Sequence, residues 1–359
     1  MPVEHSSVDE IYTEGDALYR AMCAAIQRAR RRVDLEVYIF ECDELGQRFV
    51  HALCAAARRG VRVRLLVDAF GSLWGVPARV ERELLAAGVA VRRFHRWRWR
   101  SPLRYNRRNH RKLLLVDEES AFMGGFNIHR LSSRELYGEA RWRDTHVRLG
   151  GDLVRQASES FELFWQGRRE RHLPIRLSAE QVLLSNHNLY ARRRLRRVFD
   201  AALNDARRRI WLTNPYFVPD HRMQGRLVRA ARRGVDVRVL LPGKSDVRLA
   251  RWASHAAYTR LLEGGVRIYE YLPRMLHAKT AVVDGDWASV GTSNLDYRSV
   301  FLNYEINLVS RSATLCAALE QQFLADMTQS EEIPAERWGR RHWGHYAAEA
   351  IGWWARRWL

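Results

Sequence analysis

Apolar residues along the chain fall into short, β-branched runs, each following a helix-like stretch that ends in glycine or basic residues. The runs come in threes, and the trio occurs twice. ARRRVDLEVYIF (29–40), AAARRGVRVRLLVD (55–68) and LLAAGVAVRRF (84–94) are matched by ARRRIWLTNPYF (206–217), RAARRGVDVRVLLP (229–242) and LLEGGVRIYEY (261–271). Helix running into apolar strand, repeated, predicts an α/β fold with mainly parallel sheets and helices on both faces. A duplicated chain predicts two tandem domains, at 8–170 and 178–332, related by pseudo-twofold symmetry. The boundary falls near 167–178, where GRRERHLPIRLS carries Pro174 and loses periodicity.

After its third run each half reaches a polar segment of its own. The first is NHRKLLLVDEESAFMGGFN (109–127) and the second LHAKTAVVDGDWASVGTSN (276–294). The histidines, lysines, aspartates, glycines and asparagines all keep one offset of 167 residues. Repeated helix-strand units explain the apolar blocks but not this matching of polar residues. If KLLLVD and KTAVVD are strands, alternation puts His110 with Lys112, and His277 with Lys279, on one face. Asp117 and Asp284 then lie at the strand ends. Gly125 with Asn127, and Thr292 with Asn294, share a face of the next strand.

Such groups suit attack on a phosphodiester. A neutral imidazole is a competent nucleophile, and two lysines and two asparagines can hold the charged non-bridging oxygens. A second imidazole can protonate the departing alkoxide. One motif supplies half of this machinery and two supply all of it.

The pattern H-x-K-x4-D-x6-G-[GST]-x-N, occurring twice, resembles the phospholipase D superfamily. That resemblance implies a two-step reaction through a phosphohistidine, with no metal and no cofactor, at a site between the halves. It implies His110 as nucleophile and His277 as acid and base, with Lys112, Lys279, Asn127 and Asn294 around the phosphate. Asp117 and Asp284 match the motif aspartates and read as structural. Thr292 and Gly125 occupy the small-residue position. Glu305, 28 residues after His277, matches the acid that orients that imidazole. The corresponding position of the first half is Gly138, so Asp144 is the candidate partner for His110, with Glu139 next.

Within the superfamily, GTSNLDYRSVFLNYEINL (291–308) and WRDTHVRLGG (142–151) are similar to bacterial cardiolipin synthases, of the shorter kind without leading membrane helices. The implied reaction moves a phosphatidyl group between phosphatidylglycerol molecules and releases glycerol. Hydrolysis by the same site, as in a phospholipase D, is the alternative, followed by a metal-independent nuclease. Intact motifs argue against a non-catalytic lipid-binding scaffold.

Charge then narrows the partners. Lys and Arg number 60 against 41 Asp and Glu, a net +19, which favours anionic lipid or nucleic acid. The stretch 92–110 carries eight arginines and two tryptophans, and tryptophan's interfacial preference makes nucleic acid the lesser candidate. The tail, 336–359, places Trp343, Tyr346, Ala347, Ala350, Ile351, Trp354 and Trp358 on one helical face, opposite His345, Glu349 and Arg356. That face suits either a membrane interface or docking on the protein core. An acidic N-terminus without an apolar stretch, no run of 18 apolar residues and four scattered cysteines point to a peripheral protein on the cytoplasmic face of the cell membrane.

Overall fold

The computed structural model describes residues 7–96, 99, 105–168, 180–340 and 343–355. Two mixed sheets organise it. The first runs β1 (Ser7–Tyr12), β7 (His146–Gly150), β6 (Ser120–Gly124), β5 (Leu113–Val116), β2 (Arg32–Val37), β3 (Arg62–Asp68) and β4 (Ala90–Phe94). The second runs β15 (Ser330–Glu332), β11 (Arg267–Tyr271), β10 (Asp236–Pro242), β9 (Arg209–Thr213), β12 (Thr280–Val283), β13 (Trp287–Gly291), β14 (Ile306–Ser310) and β8 (Gln181–Ser185).

The repeated apolar runs form the parallel trios β2–β3–β4 and β9–β10–β11. Helices such as Glu44–Arg58 and His221–Arg232 connect them. Asp43 and Asp220 start these two helices by accepting the amides of Gly46 and Met223 at 3.0 and 2.8 Å. Elsewhere the pairing is antiparallel, so parallel neighbours are the minority rather than the majority. The reason lies in the motif hairpins β5–β6 and β12–β13. Their turns, at 117–119 and 284–286, are too short for the crossover a parallel pair requires.

One apolar core spans both halves. Leu113, Met123 and Val147 of the first sheet meet Val282, Val290 and Ile306 of the second. Phe161 and Phe164 of helix Asp152–Gln166 and Leu315 and Leu319 of helix Ala313–Met327 complete it. Each such side chain stabilises the junction by about 1.5–3 kcal/mol. A buried ion pair clamps the halves too: Arg143 donates to both carboxylate oxygens of Asp326, at 3.1 and 2.9 Å.

The linker expected at 167–178 lies outside the described residues beyond Arg168, as do 97–98 and 100–104 of the arginine-rich stretch. The tail forms helix Trp343–Ala355 against helix Arg248–Glu263. It docks through small residues: a Cβ on Gly352 would lie 2.4 Å from the Ala253 amide nitrogen. Glu349, expected on the solvent side, is buried with Gly352 and Ala355, whereas Tyr346, Ala350, Ile351 and Trp354 face outward. Close approach of two helix backbones needs small side chains, which excludes the aromatic face from the contact. Trp358, Arg356 and the side chains of Trp343, His345 and Ala347 lie outside the description. Among the described residues no helix is long and apolar enough to cross a membrane.

Candidate active site

The two His-x-Lys segments come just before their strands rather than within them, since β5 begins at Leu113 and β12 at Thr280. Each segment pairs with the opposite half instead. Asn109 bridges Tyr304, and Leu276 bridges Arg143. The His110 amide donates to the Tyr304 carbonyl at 2.9 Å, and the His277 amide to the Arg143 carbonyl at 2.7 Å. These exchanged bridges bring both motifs to the seam between the sheets.

They also exchange the carboxylates, which corrects the pairing expected from sequence. Glu305 follows Tyr304 and meets His110, its Oε2 lying 3.1 Å from Nδ1. Asp144 follows Arg143 and meets His277, with Oδ2 at 2.6 Å from Nδ1. Glu139 is exposed and paired with Arg134 and Arg141, so it serves neither histidine. Glu305 follows Asp144 by 161 residues, not 167, so the first half carries six extra residues between motif and acid. A fixed offset therefore pointed to Gly138 and hid the equivalence.

The small-residue position serves these carboxylates. A Cβ on Gly125 would lie 1.9 Å from Asp144 Oδ1, so only glycine leaves room for that side chain. Its counterpart Thr292 donates its hydroxyl to Glu305 Oε2 at 2.6 Å. Ser299 holds the other oxygen at 2.8 Å.

Burial governs the electrostatics. His110, Lys112, Asp144, His277, Lys279 and Glu305 are all buried. Burial, with the Lys279 charge next, pushes the His277 imidazole down to about 3, and burial likewise lowers His110, against the pull of Glu305. Burial and the Lys279 charge bring Lys112 down to about 7, and burial brings Lys279 to about 8. Burial alone would raise both carboxylates. Lys279 and His277 hold Asp144 below its usual range, and His110 and Lys112 do the same for Glu305. Each motif thus feels the other's charge: Lys279 acts on His110 and Lys112 acts on His277. A carboxylate can only accept, so each Nδ1 carries the proton and each Nε2 keeps its lone pair. Lys279 Nζ also lies 2.8 Å from His277 Nδ1, but that nitrogen is already a donor to the nearer Asp144.

Asp117 and Asp284 lie elsewhere. Both occupy left-handed turns, φ 55° and 53°, at the far ends of the motif strands, about 20 Å of extended chain from the histidines. The Asp117 carboxylate accepts the amides of Arg30, Arg31 and Arg32 at 2.7, 2.7 and 2.8 Å. Asp284 does the same for Arg207, Arg208 and Arg209 at 2.8, 2.7 and 2.8 Å. They tie each hairpin to the start of its neighbouring strand, a structural role. Asn127 Oδ1 accepts the Ile39 amide at 3.1 Å, which leaves its NH2 group to donate. Asn294 is buried beside Ser299, whose Oγ accepts its backbone amide at 3.2 Å.

Aromatic walls went unread in the sequence. The Tyr38 ring stands edge-on 4.9 Å from His110, and Trp142 lies 5.2 Å from His277. Tyr216 is 6.0 Å from His277 and donates to Asp246 at 2.7 Å. Tyr38 and Tyr216 sit where EVYIF and NPYF run off β2 and β9, and strand ends in α/β sheets are where sites form. That signal was available. Among the described residues no three His, Cys, Asp or Glu side chains gather as a metal site.

The family model described as cardiolipin synthase, PLD-like domain, matches residues 22–165 and 199–327. A cardiolipin synthase of Clostridium perfringens is 32% identical over 92% of this chain and 73% of its own length. A cardiolipin synthase of Geobacillus kaustophilus is 35% identical over 98% of this chain and 72% of its own. The fold is shared with phosphatidylserine synthase of Haemophilus influenzae, at TM-score 0.69 and 13% identity over 96% of this chain and 91% of that one. Polyphosphate kinase of Porphyromonas gingivalis follows at TM-score 0.63, 13% identity, 93% of this chain and 49% of that one. With both motifs matched across its length, the chain belongs to the phospholipase D-like cardiolipin synthase family and is an enzyme of the phospholipase D superfamily.

Proposed function

We propose that the enzyme transfers a phosphatidyl group from one phosphatidylglycerol to another, forming cardiolipin and releasing glycerol, through a phosphohistidine. The observation that carries this reading is the exchanged pairing of each imidazole with a carboxylate from the other half. Both rings then present a basic Nε2 while their Nδ1 protons are held. His110 Nε2 attacks phosphorus as the bond to the glycerol oxygen breaks, and His277, whose Nε2 takes up a second proton when the lipid's phosphate anion enters beside it, gives that oxygen the Nε2 proton. Charge gathering on phosphorus between Lys112 and Lys279 is stabilised by their ammonium groups. A hydroxyl of the second phosphatidylglycerol then returns its proton to His277 and attacks phosphorus, and the bond to His110 breaks.

The enzyme acts as a peripheral protein at an anionic membrane surface, on the cytoplasmic side. The net charge of +19 and the outward-facing Tyr346, Ile351 and Trp354 support this. The test is mass spectrometry of lipids after incubation with phosphatidylglycerol vesicles. Cardiolipin and glycerol in equal amounts are expected, with both lost in His110→Gln and His277→Gln. Phosphatidic acid as the main product would make the enzyme a hydrolase, and turnover surviving both substitutions would refute the mechanism.

A further inference from the structure

β3 lies parallel to β2, and β10 to β9, so the C-terminal ends of each pair share one end of their sheet. The motif strands run the other way, pairing Leu113 with Glu36 and Thr280 with Thr213. Each His-x-Lys segment therefore arrives at that same end. The loops that leave β3 and β10, at 69–77 and 243–247, flank the site by topology.

Both loops are fastened to its aromatic walls. Ser72 donates its hydroxyl to the Tyr38 carbonyl at 2.9 Å and accepts the Phe40 amide at 3.0 Å. Gly71 lies so close that a Cβ there would come within 2.5 Å of the same Tyr38 oxygen. Asp246 of the second loop accepts the Tyr216 hydroxyl. Tyr38 and Tyr216 in turn stand beside His110 and His277.

The outer faces of the loops are apolar. Trp74 is 89% exposed and Phe70 52%, and Leu73 is exposed with them. Val247 and Leu249 are exposed where the second loop enters helix Arg248–Glu263. Single exposed apolar side chains are ordinary, but large ones gathered on paired loops mark a contact surface. Residues 69–80 contain no acid, and their one charge is the exposed Arg79. Lys244 and Arg248 are exposed on the second loop, whose one acid is the Asp246 that Tyr216 engages. Tryptophan beside cations suits an anionic lipid surface. The tail helix adjoins this face: Gly352 packs on Trp252 and Ala253, one helical turn past Leu249, and its neighbours Ile351 and Trp354 are exposed.

Resting on the phosphatidyl-transfer reading for its lipid, we propose that these two loops are the membrane seat of the active site. Phe70, Leu73 and Trp74 enter an anionic bilayer surface on one flank, and Val247 and Leu249 enter it on the other. Arg79, Lys244 and Arg248 meet the head-group phosphates. The seat holds the histidine end of both sheets at head-group depth, so a phosphodiester reaches the site while its acyl chains stay in the bilayer.

Co-sedimentation of the full chain with vesicles of phosphatidylglycerol and phosphatidylcholine tests this. Leu73→Ser with Trp74→Ser is expected to weaken binding roughly hundredfold, and Val247→Ser with Leu249→Ser roughly tenfold or more. Leu324→Ser, which alters an exposed leucine of helix Ala313–Met327, is expected to change nothing. Lys244→Gln with Arg248→Gln is expected to cost about fivefold per charge on these vesicles and nothing on phosphatidylcholine alone. Circular dichroism and Tm, expected to match wild type, report that each variant folds. Trp74→Ser alone, expected to cost about tenfold, carries the test should a double variant fail to fold. Binding unchanged in the loop variants, or lost as much in Leu324→Ser, would overturn the proposal and leave the loops to a protein partner. Sedimentation requires no reaction, so absence of cardiolipin would sink the phosphatidyl-transfer reading and leave the seat standing.

Discussion

Asp144 and His277 lie 2.6 Å apart although 133 residues separate them in the chain. Their mirror pair, Glu305 and His110, is 195 residues apart and 3.1 Å in contact. Neither half therefore holds both members of either histidine–carboxylate pair. Each imidazole is oriented by an acid from across the seam.

Asp144→Asn and Glu305→Gln are expected to keep the fold and lose turnover. An amide can present its NH2 group to Nδ1 and so favour the wrong tautomer. In a comparable triad that change costs about 10⁴-fold in kcat. Steady-state kinetics on phosphatidylglycerol should show kcat falling by a factor on the order of 10³ or more, with KM little moved. Rates near wild type would show that the contacts do not orient the reacting nitrogens.

Gly125→Ala should resemble Asp144→Asn. The added methyl would meet the Asp144 carboxylate at 1.9 Å, so that side chain has to leave His277. In a double-mutant cycle the two substitutions share one effect, and the pair should be scarcely worse than either alone. Fully additive losses would place the glycine's role elsewhere.

Activity should decline as pH rises through about 7 to 8, where Lys112 and Lys279 lose their protons. Both lysines are pushed down by burial, so the ammonium groups proposed to hold phosphate are present below that window and lost above it. KM for phosphatidylglycerol should climb there. On the acid side, the lowered His110 imidazole stays neutral below the ordinary histidine range, which keeps the proposed nucleophile available. A KM flat to pH 10 would mean that the lysines remain charged.

The tail helix separates docking from surface contact. Tyr346→Ser, Ile351→Ser and Trp354→Ser alter exposed side chains and should leave Tm unchanged while weakening co-sedimentation with phosphatidylglycerol vesicles, by roughly tenfold or more for each large residue that enters the bilayer. Gly352→Leu should instead lower Tm, because its side chain would strike the backbone at Ala253. Unchanged vesicle binding in the triple variant would place the membrane contact on another surface.

Arg143→Met leaves Asp326 buried without its cation and is expected to cost about 3–5 kcal/mol. Denaturant unfolding measures the loss. The Arg143 carbonyl bridges to His277, so turnover should fall before global unfolding.

Much of this protein was legible in its sequence. The repeated runs foretold both parallel trios, and matched polar spacing singled out both histidines and both lysines, because local pattern follows from local geometry. The antiparallel majority was missed since hairpin turn length was not set against the helix-strand rhythm. The aromatic partners Tyr38, Trp142 and Tyr216 were missed because ring contacts across a seam leave no periodicity.

The amino-acid order alone determined that two His-x-Lys hairpins form, that Asp117 and Asp284 close them, and that the halves are duplicates. Only the tertiary structure decided which acid serves which imidazole. Six extra residues in the first half broke the sequence alignment of Glu305 with Asp144, while strand bridging across the seam set their positions. Backbone pairing between distant segments acts over ångströms, and chain spacing cannot encode it.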